Sequence, residues 1–116
     1  MSYLSVEKKK DIAIITSNNK RIDAAFANQF RQDILALKSE GFSKIVLNLV
    51  NVDFIDSSGL GVIVFIAKKT DKQEKLVLCH LNDKVLHILK LANMVDRFSI
   101  TKNVDEAMTF LNKVMD

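Results

Sequence analysis

The sequence VLNLVNVDFIDSSGLGVIVFIAKKT, at residues 46–70, decides the fold. It opens with the β-branched run of a central strand and closes with an apolar run that we interpret as a helix packed against a sheet. Between the two runs the sequence reads Asp-Ser-Ser-Gly, from Asp56 to Gly59. A strand that turns tightly into a helix leaves the first helical N–H groups without partners, and an Asp or Ser side chain can accept their hydrogen bonds. The four residues therefore predict the joint between strand and helix.

Only one residue of this joint can occupy the capping position of the helix. We therefore expect the hydroxyl of Ser57 or Ser58 to lie near the helix N-terminus, at the carboxyl end of a strand, where partners and ligands commonly dock. Gly59 and Gly61 add no side chain beside that hydroxyl, which would let a kinase bring a nucleotide to it. The helix dipole and the free N–H groups would tolerate a phosphate there.

The same residues also support a purely structural interpretation. Asp56 and Ser57 would cap the helix, and the glycines would let helix and sheet pack closely. Since caps are far commoner than phosphorylation sites, residue physics alone favours this alternative.

Strand-type and helix-type periodicities alternate along the whole chain. They predict strands at 3–9, 11–17, 44–50, 75–81 and 97–101. They predict helices at 24–41, 59–70, 82–94 and 103–115, with Gly41 at the end of the first helix. This alternation is typical of an α/β fold with a mixed sheet of four to five strands, mostly parallel at its centre, and about four helices packed against it. Residues 1–116 fit the size of a single domain.

The composition argues against several functional classes. The formal net charge of +3 is the small difference between 17 basic and 14 acidic residues, so no nucleic-acid-binding surface is indicated. No apolar run reaches the roughly 18 residues that span a bilayer, and the N-terminus lacks the apolar stretch of a secretory signal. The single cysteine, Cys79, cannot form an intramolecular disulfide. We therefore expect a cytoplasmic protein that binds neither nucleic acid nor membrane directly.

Catalytic and cofactor chemistry finds little support in the sequence. A serine hydrolase needs a Gly-x-Ser-x-Gly elbow, but Asp56 stands where the first glycine would precede Ser58. We interpret His80 and His87 as structural or surface residues, and Cys79 as a small core side chain. The sequence has neither metal-ligand spacing nor a phosphate-binding glycine motif. We expect no enzyme activity, no metal and no cofactor.

Residues 46–70 resemble the signature of STAS domains, and specifically that of bacterial anti-sigma-factor antagonists. In that signature a hydrophobic strand, Asp-Ser-Ser/Thr-Gly-Leu and a hydrophobic helix follow one another. The likeness extends over nearly the whole chain, through an N-terminal hairpin, an Ile-Asp pair at 22–23 that opens the first helix, and alternating strands and helices. The resemblance implies a STAS-type fold and a regulatory binding protein without catalytic activity.

The resemblance also implies roles for single residues. The phosphoacceptor of such proteins is the residue before the signature glycine, which is Ser58 here. Asp56 and Ser57 match the residues that shape the loop, and Asp23 matches an aspartate that contributes to the partner surface. The implied partner-binding residues, which include the rest of the signature, are Asp23, Asp56, Ser57, Ser58, Gly59 and Leu60.

Two residues depart from the family pattern. Lys20 stands where many members have glycine, so we expect a different turn and an extra positive charge near the contacts around Asp23. Asn48 stands where an acidic residue is frequent. Neither departure touches the joint at Ser58.

The resemblance implies a partner-switching cycle. The unphosphorylated protein would bind an anti-sigma factor that is also a serine kinase with a Bergerat-type ATP site, and so free the sigma factor. Phosphorylation of Ser58 by that kinase would end the binding, and a metal-dependent PP2C-type serine phosphatase would restore it.

The alternative is a constitutive STAS interaction subunit of a larger lipid-transport or stressosome-like complex, in which Ser58 would be packed and never modified.

Overall fold

The computed structural model describes residues 3–69 and 75–114, in which strands and helices alternate. The elements are β1 (Leu4–Lys9), β2 (Ile12–Ser17), β3 (Arg21–Ile22), α1 (Ala24–Ser39), β4 (Lys44–Asn48), β5 (Phe54–Ile55), α2 (Ser57–Lys69), β6 (Lys75–Cys79), α3 (Asp83–Leu91), a 3₁₀ turn (Val95–Arg97), β7 (Ser99–Thr101) and α4 (Val104–Val114).

Five of these strands form the main sheet, in the order β1-β2-β4-β6-β7. β1 pairs antiparallel with β2, whereas the other neighbouring strands are parallel. The inner strands are almost continuously apolar because helices cover both faces of the sheet. β3 and β5 form a separate parallel pair.

The pleat of the main sheet directs alternate side chains into two cores. On one face a larger core packs α1, α2 and α3 against the sheet, with Ile15, Phe30 and Ile63 fully buried. On the other face α4 covers a smaller core that includes Val46 and Leu111. The first turns of α1 and α2 therefore lie on the face opposite to α4.

The predicted fold class is confirmed: within the described residues a mixed sheet of five strands carries four helices. Gly41 follows α1 with φ at 104°, as a glycine at a helix end should. β4 ends at Asn48, before the predicted limit, because the Asn48 side chain accepts a hydrogen bond from the amide of Val50 over 3.1 Å. β6 ends before His80, which has a positive φ of 57°.

Other boundaries differ in detail from the prediction. α2 begins at Ser57 rather than at Gly59, and β7 begins at Ser99 because a 3₁₀ turn occupies Val95–Arg97. The predicted ends of two helices, residues 70 and 115, lie outside the described residues. Among the described helices, none combines the length and the apolar character needed to cross a membrane.

Candidate functional site

Two very short strands bring the starts of α1 and α2 together. In the β3–β5 pair Ile22 lies opposite Ile55. The amide of Asp56 donates a hydrogen bond to the carbonyl of Ile22 over 3.2 Å. Asp23 and Asp56 therefore stand side by side, each immediately before a helix.

The carboxylate of Asp56 binds the first turns of both helices. Its Oδ1 accepts a hydrogen bond from the amide of Gly59 in α2 over 2.9 Å, and its Oδ2 accepts one from the amide of Ala24 in α1 over 3.1 Å. Negative charge is favourable at a helix N-terminus, where N–H groups lack partners and the dipole is positive. The capping interpretation of Asp56 is confirmed for α2, and the bond to α1 is an addition to it.

Asp23 occupies the N-cap position of α1 but makes no side-chain capping bond. Its Oδ2 lies 3.4 Å from Nε of Arg21, whose guanidinium carbon lies 4.2 Å from the ring centroid of Phe54. The Arg21 side chain is 58% exposed, so this ion pair contributes at most about 1 kcal/mol to stability. The carboxylate of Asp23 therefore lies at the partly exposed surface, in its ion pair with Arg21.

The two glycines of the joint have different roles. A Cβ atom on Gly59 would lie 2.1 Å from the carbonyl oxygen of Ile22, so only glycine lets α2 approach β3 this closely. A Cβ atom on Gly61 would meet nothing within 4 Å. The close-packing interpretation thus holds for Gly59, whereas the exposed Gly61 fits the expected bare patch.

Ser57 and Ser58 are both exposed in the first turn of α2. Within residues 3–69 and 75–114 neither hydroxyl is joined by a hydrogen bond to another protein group. Ser57 is the first helical residue and not the cap, because Asp56 holds that position. Leu60 is half-buried and packs against the larger core. The structure therefore brings together every residue of the predicted site, with both hydroxyls at the surface.

The remaining candidate residues lie elsewhere. His80 is half-buried at the end of β6, and His87 is exposed on α3. Cys79 is buried, and desolvation raises the pKa of its thiol to about 11. Asn48 joins β4 to β2 by donating to Oγ1 of Thr16 over 3.3 Å. In the part of the chain that the structure describes, no three His, Cys, Asp or Glu side chains form a group that could hold a metal ion.

The sequence interpretation missed β3 and β5, and with them the contact between Asp56 and α1. A two-residue strand is too short to show alternation, so periodicity could not reveal either strand. The sequence did contain one signal of this contact: an Ile-Asp pair precedes α1, at 22–23, and another precedes α2, at 55–56. Pairing the two isoleucines across parallel strands would have placed the two aspartates side by side.

Comparison with known proteins agrees with this architecture. Residues 3–107 match the STAS domain. The chain is 29% identical over 87 residues to a Bordetella bronchiseptica protein assigned as the anti-sigma factor antagonist BtrV, and the match covers 74% of this chain and 75% of that protein. It is also similar to the crystal structure of a protein from Thermotoga maritima assigned as an anti-sigma factor antagonist, with 30% identity, a TM-score of 0.87 and 94% of each chain covered.

The fold alone is shared with two structures of the anti-sigma factor antagonist SpoIIAA. The unphosphorylated form has a TM-score of 0.71 and 15% identity, with 95% of this chain and 97% of that chain covered. The phosphorylated Bacillus form has a TM-score of 0.70 and 16% identity, with 93% of this chain and 98% of that chain covered. With its signature joint, its mixed sheet and a match that spans residues 3–107, this chain belongs to the STAS domain family.

Proposed function

We propose that the protein is an anti-sigma factor antagonist of a bacterial partner-switching pathway, and that it is a kinase substrate rather than an enzyme. In the cytoplasm its unphosphorylated form binds an anti-sigma factor that is also a serine kinase, and so releases the sigma factor. Phosphorylation of Ser58 by that kinase ends the binding, and a PP2C-type serine phosphatase restores it.

The exposed hydroxyl of Ser58 is the observation that supports this proposal most directly. Asp56 already caps α2, so the fold does not need the Ser58 hydroxyl for that purpose. Gly61 lies three residues further on, on the same side of the helix, and leaves open space there. We therefore expect a kinase to approach the hydroxyl from this side of the helix.

The charge of a phosphate accounts for the switch. Phosphoserine carries about −1.5 to −2 charges at neutral pH. At the start of α2 the helix dipole stabilises this charge, so the fold should persist. In an interface with a partner the same charge loses its water, which is costly unless a cation faces it. The existence of SpoIIAA in both states with this fold supports the expectation that the architecture tolerates the modification.

Binding measurements with the cognate kinase test this function. The partner is identified by co-purification from the native cell and by neighbouring genes for a small kinase and a sigma factor. We expect Ser58→Asp to weaken binding of the purified partner more than tenfold without changing the circular dichroism spectrum. Ser57→Asp places the same charge one residue away and is the matched control, with a smaller effect.

The constitutive-subunit alternative makes the opposite prediction. The protein would then co-purify with a transporter or a stressosome-like complex, and Ser58→Asp would bind that complex as tightly as the wild type does. This result would show that the proposed phosphorylation switch at Ser58 is wrong. The exposure of Ser58 gives no support to a packed and permanently unmodified serine.

A further inference from the structure

A groove of about 510 Å³ opens beside Asp23, between the start of β1, the turn before β3 and the first turns of α1. Tyr3 and Phe26 supply its apolar lining, with their rings edge to face and their centroids 4.7 Å apart. Lys20 and Arg21 supply its basic side. We call this feature the Lys20 groove.

The charges of the Lys20 groove do not balance. Arg21 and Asp23 form an ion pair, and the Arg21 guanidinium also stacks on Phe54. Lys20 is exposed, and within the described ranges its ammonium forms no ion pair or side-chain hydrogen bond. Among its described lining residues, the groove therefore presents one uncompensated positive charge beside an aromatic surface.

The backbone at Lys20 is held in place. The carbonyl oxygen of Lys20 accepts hydrogen bonds from the amide of Asp53 over 2.8 Å and from the amide of Phe54 over 3.3 Å. Tyr3 is fixed as well, because its hydroxyl donates a hydrogen bond to the carboxylate of Asp33. The groove is thus a preformed surface, which reduces the ordering cost of binding a partner.

The Lys20 groove adjoins the Ser58 site. Gly59 touches Ile22, whose two chain neighbours, Arg21 and Asp23, both line the groove. A typical protein interface covers about 800 Å² on each partner, a patch roughly 30 Å across. A kinase that docks over Ser58 therefore also covers the groove.

We infer that the Lys20 groove receives an acidic segment of the anti-sigma factor kinase, with a carboxylate at Lys20 and an apolar side chain against Tyr3 and Phe26. The inference rests on the proposed function. A membrane surface or a nucleic acid would require a cluster of free cations, whereas among the described residues that line this groove Arg21 is already paired and Lys20 is the single free cation. One free charge beside an apolar surface fits a protein segment instead.

Charge reversal tests the inference. With the purified kinase, we expect Lys20→Glu to raise the dissociation constant at least tenfold and to reduce its dependence on salt concentration. Lys113→Glu makes the same charge change on α4, which covers the opposite face of the sheet. Its dissociation constant for the kinase should stay within twofold of the wild-type value. Thermal unfolding of both variants checks that the fold is retained.

A charge swap identifies the segment that enters the groove. Acidic residues of the kinase are changed to lysine one at a time, and one of these changes should restore binding to Lys20→Glu while weakening binding to the wild type. If Lys20→Glu binds as tightly as the wild type, or if no swap restores its binding, the inference is overturned.

These outcomes can be separated from those of the proposed function. If Ser58→Asp releases the kinase while Lys20→Glu binds normally, only the inference about the groove fails. If the kinase neither binds nor phosphorylates the wild type, the proposed function fails and the assigned partner of the groove fails with it.

Discussion

At the scale of single residues, the carboxylate of Asp56 accepts hydrogen bonds from two helices, and Ser58 lies two positions further on. Because Asp56 satisfies the first turn of α2, neither neighbouring serine hydroxyl is needed as a cap. The same carboxylate also accepts a hydrogen bond from the first amide of α1, whereas Asp23 makes no side-chain capping bond and pairs with Arg21 at the surface. One side chain thus leaves the hydroxyls of Ser57 and Ser58 available to a partner.

Asp56→Ala should destabilise the protein more than Asp23→Ala, although both residues precede a helix. A single capping bond is worth about 0.5 to 2 kcal/mol, so losing two should lower the free energy of unfolding by about 1 to 4 kcal/mol. Asp23→Ala removes only an exposed ion pair and should cost less than about 1 kcal/mol. Urea unfolding measures both values. Equal losses of unfolding free energy in the two variants would contradict the claim that Asp56 bonds to both helices.

At the scale of elements, the first turn of α2 packs against β3 at a distance that only glycine permits. Gly59→Ala would place a methyl group against the carbonyl of Ile22, which neither strand nor helix can avoid without moving. We expect a loss of about 1 to 3 kcal/mol in the free energy of unfolding, as for other overpacked sites.

Gly61→Ala is the matched control for this prediction. The same methyl group meets open space there, and alanine favours the helix by up to about 1 kcal/mol. The two substitutions should therefore change stability in opposite directions, which chemical denaturation will show. A destabilised Gly61→Ala protein, or an unaffected Gly59→Ala protein, would mean that the packing of α2 is described wrongly.

The elements also show how far the sequence predicts the structure. Phe26, Phe30, Ile34 and Leu37 recur at helical spacing and predicted α1, because a long amphipathic period is a strong signal. β3 and β5 have two residues each, so the contact between their isoleucines depends on the tertiary fold and not on local periodicity. The candidate serines were therefore predictable, whereas the geometry that frees their hydroxyls was not.

At the scale of the whole molecule, the site and the second core lie on different faces of the main sheet. The joint of α2 belongs to the face with three helices, and α4 closes the other face. Addition of a phosphate at the exposed start of α2 therefore changes the charge of one surface without entering either core. This separation is the structural reason to expect a switch in binding and not in folding.

Global stability should depend on pH through the ion pair of Asp11 and the buried Lys44. The hydrogen bond from Lys44 lowers the pKa of Asp11 below 3.8, despite the opposing effect of burial. A lowered folded-state pKa means that the stabilisation is complete above the unfolded pKa and is lost as the pH falls through the folded value. The wild type should therefore lose this contribution below about pH 4.

Asp11→Asn measures this contribution by removing the carboxylate. The variant should be less stable than the wild type at neutral pH, since Lys44 then keeps a buried charge without a counter-ion, and the difference should shrink as the solution is acidified. Asp96→Asn removes an exposed carboxylate in the 3₁₀ turn and serves as the control. Its stability should differ little from that of the wild type at every pH. A difference for Asp11→Asn that does not vary with pH would contradict this account.

Phosphopeptide mapping after incubation with ATP and the cognate kinase tests the central claim most directly. We predict phosphate on Ser58 in the wild type and in Ser57→Ala, no phosphate in Ser58→Ala, and an amide spectrum of the modified protein that changes only near the start of α2. Phosphate on Ser57 or on another residue, or a modified protein that loses its native spectrum, would contradict the account.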